Sequence, residues 1–114
     1  MAQQGEDIKF TIQGNDEINL DAAKTIKVVV YLQAKCNVPS AMVIAQLENA
    51  YDDDGVEIPN MRIGKIAHSN TLEMEEGVYN MEILIKDAND DISIYTKKNV
   101  FTLECSMSKN ITNL

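Results

Sequence analysis

The chain has 114 residues, 45% of them apolar and 25% charged, and eighteen acidic against ten basic side chains leave a formal charge of −8 at pH 7. That length suits one domain around a single core, and that charge disfavours nucleic acid and anionic membranes, which need lysine and arginine to meet their phosphates. Two phenylalanines, four tyrosines and no tryptophan leave few rings to stack on sugars or bases.

The start, Met1-Ala2-Gln3-Gln4-Gly5-Glu6-Asp7, has no basic stretch followed by an apolar one, so no secretory signal is expected. No apolar run reaches the roughly twenty residues that cross a bilayer. Ile8, Phe10 and Ile12 alternate with Lys9, Thr11 and Gln13, which predicts a first strand. Gly14-Asn15-Asp16 turns the chain, and Ile18 and Leu20 form a short apolar clip. Ile26, Val28, Val30 and Leu32 line one face of the next strand, with Val29 and Tyr31 making its other face partly apolar. Asn37-Val38-Pro39-Ser40 ends it, because proline has no N–H for a ladder.

Ala41 to Glu48 reads as a further strand, with a helical turn as the alternative. Asp52-Asp53-Asp54-Gly55 is a turn signal. Val56 to Ile58 and Met61 to Ala67 are expected as two short strands divided by Pro59. After a turn at Glu75-Glu76-Gly77, Tyr79, Met81, Ile83 and Ile85 fall on one face of a long strand. Asp87 to Asp91 reverses it. Lys97-Lys98-Asn99 is read as another turn, not an anion site, before a last strand from Val100 to Cys105. The result is an all-β, antiparallel, Ig-like β-sandwich of about seven to nine strands, with residues 1–105 as one domain and 106–114 as a polar tail.

Cys36 and Cys105 are expected to be buried, reduced thiols, since no CxxC or adjacent histidine favours redox or nucleophilic work. His68 is the only histidine, and Ser69 and Asn70 beside it suggest a turn; no zinc or Ser-His-Asp pattern can be assembled. The acidic runs carry oxygen donors of the kind calcium takes, at Asp52 and Asp54 and at Asp87, Asn89 and Asp91. Ordinary solvated turns account for the same residues, and the first run lacks the glutamate that closes an EF-hand loop. Asp87-Ala88-Asn89-Asp90-Asp91 is similar to the calcium motif of cadherins, but lies inside a hairpin rather than between domains. Asn110-Ile111-Thr112 reads as a chance match to a glycosylation acceptor. A pair of carboxylates working as a glycosidase needs a deeper cleft than so short a sandwich offers. No enzyme activity and no cofactor are expected.

Gln4 to Ile12, then Ile18-Asn19-Leu20-Asp21 with Ile26-Lys27-Val28, and then Leu72 to Tyr79 resemble segments of the small β-sandwich modules of tailed bacteriophages and prophages. In that family such modules serve in tails, baseplates and head decoration. The resemblance implies a structural role in a virion made in the host cytoplasm, with partners among its own copies or neighbouring virion proteins. Edge strands would then dock on other subunits. Met61, Ile63 and Ile66 are the candidate edge contacts, and Met107, Ile111 and Leu114 the candidate tail contacts. Gly77-Val78-Tyr79, Ile83 to Asp87 and Val100 to Leu103 also resemble the last strands of the C-terminal glycan-binding sandwich of polysaccharide-exporting ABC transporters. That second resemblance implies a carbohydrate ligand.

Overall fold

Alternation of apolar and polar side chains builds most of the molecule, and the computed structural model describes it over residues 2–36 and 38–105. These residues contain eight strands: β1 (Ala2–Gln3), β2 (Ile8–Gln13), β3 (Thr25–Leu32), β4 (Met42–Ile44), β5 (Gln46–Tyr51), β6 (Glu57–Ile66), β7 (Gly77–Lys86) and β8 (Ile92–Glu104). One short helix, α1 (His68–Thr71), joins β6 to β7. A five-stranded sheet has the order β1-β8-β7-β3-β4, and a three-stranded sheet the order β2-β6-β5. The architecture is all-β and sandwich-like, with a strand count inside the predicted range. The larger sheet is mixed, however, where the pattern predicts only antiparallel pairs: β1 runs parallel to β8, with Ala2 beside Leu103 and Gln3 beside Glu104.

Period-two patterning sets the core face. Val28, Val30 and Leu32 of β3 lie opposite Ile83, Met81 and Tyr79 of β7, and Tyr79 stacks on Phe101 with ring centroids 5.1 Å apart. Ile12 and Ile66 close the core from the smaller sheet, with Phe10 and Leu47 partly buried beside them. Phe10 faces Gly64 across the β2–β6 ladder, and a Cβ on Gly64 would overlap the ring. The clip residue Leu20 is 1% exposed. It is held by Asn60, whose Oδ1 accepts from the Leu20 N–H at 2.6 Å while its Nδ2 donates to the Ile18 carbonyl.

Four elements differ from their sequence reading. Ala41 to Glu48 is not one strand: after a 3-10 turn over Pro39–Ala41, β4 pairs with β3, and the chain crosses at Ala45 into the other sheet as β5. Val56 to Ile58 and Met61 to Ala67 are not separate edge strands. Nearly all of both belongs to β6, which runs through Pro59 and lies between β2 and β5. Asn60 absorbs the irregularity with φ 57, a left-handed value that asparagine tolerates. Lys97-Lys98-Asn99 is no turn but a bulge inside β8. Tyr79 pairs with Phe101 and Met81 with Lys97, so the β8 side carries extra residues. The Asn80 side chain fills the bulge, accepting from the Asn99 N–H at 3.1 Å and from Gln33 Nε2 at 3.2 Å. Finally, Cys36 and Cys105 are free but exposed rather than buried.

Candidate interaction surface

The outer face of the larger sheet is built from the alternate residues of the same strands. Thr25, Lys27, Val29 and Tyr31 of β3 lie there, opposite Lys86, Leu84, Glu82 and Asn80 of β7. On the far side Ile92, Ile94 and Thr96 of β8 continue the rows, and on the near side Ile44 and Met42 of β4 flank Val29 and Tyr31. Solvent-facing sheet surfaces are ordinarily polar. Here Met42, Ile44, Ile92 and Ile94 are 44%, 53%, 63% and 56% exposed, half of the eight large apolar side chains most open to water among the described residues. Lys27, Glu82 and Lys86 interrupt the apolar rows without dividing the face.

At the β4 end of this face lies a hollow of about 200 Å³ lined by Val29, Tyr31, Lys35, Cys36, Val38, Pro39, Met42 and Glu82. Pro39 and the 3-10 turn raise its wall, and Tyr31 supplies a half-buried ring. A wider recess of about 520 Å³ opens between β4 and the end of α1 with the segment after it, and Tyr79 is among its lining residues. At 2% exposure that ring is not available for stacking.

The sequence-predicted residues are placed differently. Met61 and Ile63 are half-buried in β6, the middle strand of the smaller sheet, and Ile66 is a core residue 1% exposed, so none of the three is an edge contact. From Arg62 to Lys65 strand β6 has ladders on both sides, to β2 and to β5, which leaves this stretch no free backbone edge to offer a partner. Met107, Ile111 and Leu114 lie outside the described residues. The contacts missing from the sequence reading are those on the outer face. Their signal was the partly apolar outer face of β3 at Val29 and Tyr31, together with Leu84 on the side of β7 expected to be polar.

The acidic turns share one device. Asp52 Oδ1 accepts from the N–H groups of Asp54 and Val56, both at 2.9 Å, and Asp87 Oδ1 accepts from those of Asn89 at 2.8 Å and Asp91 at 3.0 Å. In each turn the fourth residue is left-handed, Gly55 at φ 79 and Asp90 at φ 66. These carboxylates organise hairpins. Asp52 and Asp54 lie in the β5–β6 turn and Asp87, Asn89 and Asp91 in the β7–β8 turn, and among the described residues no three or more His, Cys, Asp or Glu side chains converge on a metal-sized site.

His68 opens α1. Asp7 Oδ1 accepts from its backbone N–H at 2.7 Å and lies 3.0 Å from its ring Nδ1, which holds the Asp7 carboxyl below its ordinary value. The ring is largely exposed, and the pair ties the N-terminal segment to the helix. No helix among the described residues is long and apolar enough to cross a membrane. The chain matches no protein-family model, no curated protein and no solved structure.

Proposed function

We propose that the protein is a non-enzymatic structural module that acts by holding other protein subunits, of the virion-associated kind that its segments resemble. The observation that carries this reading is the apolar outer face of the larger sheet. Open apolar area rimmed by polar and charged side chains is one of the features by which sites of contact with another molecule, other proteins among them, are recognised. The partners would be further copies of the chain or neighbouring virion proteins. On the same reading the two sheets are a variant of the Ig-like sandwich, with β1 added in parallel at one edge.

The test is light scattering coupled to size exclusion across a wide range of concentration. A discrete oligomer that dissociates when Ile92 and Ile94 are both replaced by glutamate is the expected result. Both side chains are exposed, so the fold should survive. A strict monomer at every concentration would overturn self-assembly. Failure to bind each neighbouring virion subunit as well would overturn the structural role.

A carbohydrate ligand is the second reading, favoured by one feature: Tyr31, Lys35 and Glu82 place a ring and two charges in the same hollow. A thermal shift with polysaccharide that Tyr31→Ala abolishes would support it.

A further inference from the structure

We infer that the partner is a second copy of this chain, joined through the free edge of β8 in an antiparallel ladder whose two-fold axis lies between the two copies of Ile94. This inference rests on the assembly reading and names its contact. On one side β8 pairs with β7 from Ile92 to Leu103, interrupted only at the bulge, but on the other β1 covers only Leu103 and Glu104. Among the described residues no backbone hydrogen bond reaches the outer edge between Ile92 and Thr96. Proteins blunt such edges with proline, charge or bulges. This stretch has none of these before Lys97, where the bulge begins, and it exposes Ile92 and Ile94. The other edges are better guarded: β4 is three residues long, β5 is irregular at Asn49 and Tyr51, and β2 exposes Lys9, Thr11 and Gln13.

Charge selects the register. Successive residues of a strand point their backbone groups to alternate edges, so only residues of like parity can face one another in a new ladder. Symmetric pairings of the straight stretch therefore centre on Ser93, Ile94 or Tyr95. Centring on Ser93 sets Asp91 opposite Tyr95 and Lys97 opposite Asn89. Centring on Tyr95 sets Asp91 opposite Asn99 and Lys97 opposite Ser93. Only centring on Ile94 sets Asp91 opposite Lys97 of the second copy, twice by symmetry, with Ile94 against Ile94 and Ile92 against Thr96. Among the described residues neither Asp91 nor Lys97 has an ion pair within the chain. The turn uses the backbone N–H and C=O of Asp91, so its carboxylate is free for this contact. The paired sheets would then continue as one, and their outer faces would join through Ile94 and Leu84 of both copies.

The test uses the full chain with Cys36 and Cys105 replaced by serine. A cysteine beside the two-fold axis faces its own copy at about 4.5 to 5.5 Å between Cα atoms, inside disulfide range. Ile94→Cys should therefore link into a covalent dimer under mild oxidation much faster than Ser93→Cys. In the wild-type chain, Asp91→Lys or Lys97→Asp alone should weaken the dimer by about tenfold, and the double exchange should restore it. Preferential linking at Ser93 would overturn the register. An oligomer that ignores both charge variants and does not link at Ile94 would overturn the β8 contact and leave the assembly reading standing. A strict monomer would overturn the β8 contact and self-assembly together, while the wider structural role would fall only if neighbouring virion subunits also failed to bind.

Discussion

Asn60 does the work of several residues at one point in the fold. Its φ of 57 lets β6 continue past Pro59, its side chain secures Leu20 and Ile18, and its own N–H donates to Asp21 Oδ2 at 2.8 Å. Gly14 packs so closely on it that any Cβ there would overlap the amide. Replacing Asn60 with alanine loses two side-chain hydrogen bonds and strains the left-handed backbone, so we expect a loss of about 2 to 4 kcal/mol in urea unfolding. Asn60→Gly removes the strain but not the lost bonds, and should fall between. Two carboxylates also tie stability to pH. The His68 backbone N–H and then its ring hold Asp7 low, while the Asn60 N–H and then Arg62 hold Asp21 low. A depressed native value means that the contribution is present above the unfolded value of 3.8 and is lost as the pH falls through the native value. Stability should therefore fall off below about pH 4, and Asp7→Asn should flatten that limb. At the alkaline end, burial and then Glu75 push Tyr79 up to about 12. That contribution is complete below the unfolded value of 10.0 and lost as the pH rises through 12. Tyr79→Phe should remove the alkaline limb at the cost of its hydrogen bond to the Glu75 carbonyl.

At the scale of elements, short pieces are secured by buried polar contacts where propensity is weak. Helix α1 has four residues, too few to stand alone. Thr71, 0% exposed, holds it: the hydroxyl accepts from the Gly5 N–H at 3.0 Å and donates to the Glu6 carbonyl at 2.7 Å. Thr71→Val keeps the shape and leaves both backbone groups unpaired. We expect a loss of about 1 to 3 kcal/mol, with faster amide exchange concentrated at residues 2–7 and 68–74. If exchange rose evenly across the chain instead, α1 would not be a separate unit. The hairpin turns follow the same logic. Asp52→Ala and Asp87→Ala should each lower stability by about 1 kcal/mol, and calcium should leave the melting temperature of the wild type unchanged. A rise of several degrees with calcium that either substitution cancels would show that the oxygens of these turns serve an ion after all.

For the whole molecule, charge and shape oppose each other. Cα positions extend over 45 × 38 × 19 Å, a thin slab two sheets deep that exposes much edge and face for its mass. Two copies, each with a formal charge of −8, repel by about 7 kcal/mol at roughly 38 Å in unscreened water. Screening cuts this to about 2 kcal/mol at 0.01 M salt and to almost nothing at 0.15 M. The two Asp91–Lys97 pairs of the β8 dimer contribute about 0 to 1 kcal/mol each and weaken over the same range. The repulsion changes more, so dimerisation followed by sedimentation should strengthen as salt rises to 0.15 M. Weakening would mean that the ion pairs carry more of the contact than their exposed setting suggests.

Period two in Ile8–Gln13, Thr25–Leu32 and Gly77–Lys86, together with the two Asp-led turns, determined from sequence alone that the chain is all-β, which side chains face the core and where two hairpins reverse. Those features are local: a side chain's face follows from its place in a strand, and a turn from residues within a few positions of each other. Tertiary structure decided which strand neighbours which. The patterning of β6 is equally weak whether it lies at an edge or in the middle, and only β2 and β5, from distant parts of the chain, put it in the middle. The crossing at Ala45, the bulge at Asn99 plugged by Asn80, and the parallel strand β1 are likewise contacts between residues far apart in sequence. The apolar outer face belongs to both levels: Val29, Tyr31 and Leu84 showed it within single strands, but Met42, Ile44, Ile92 and Ile94 join it only because β4 and β8 lie on either side of β3 and β7.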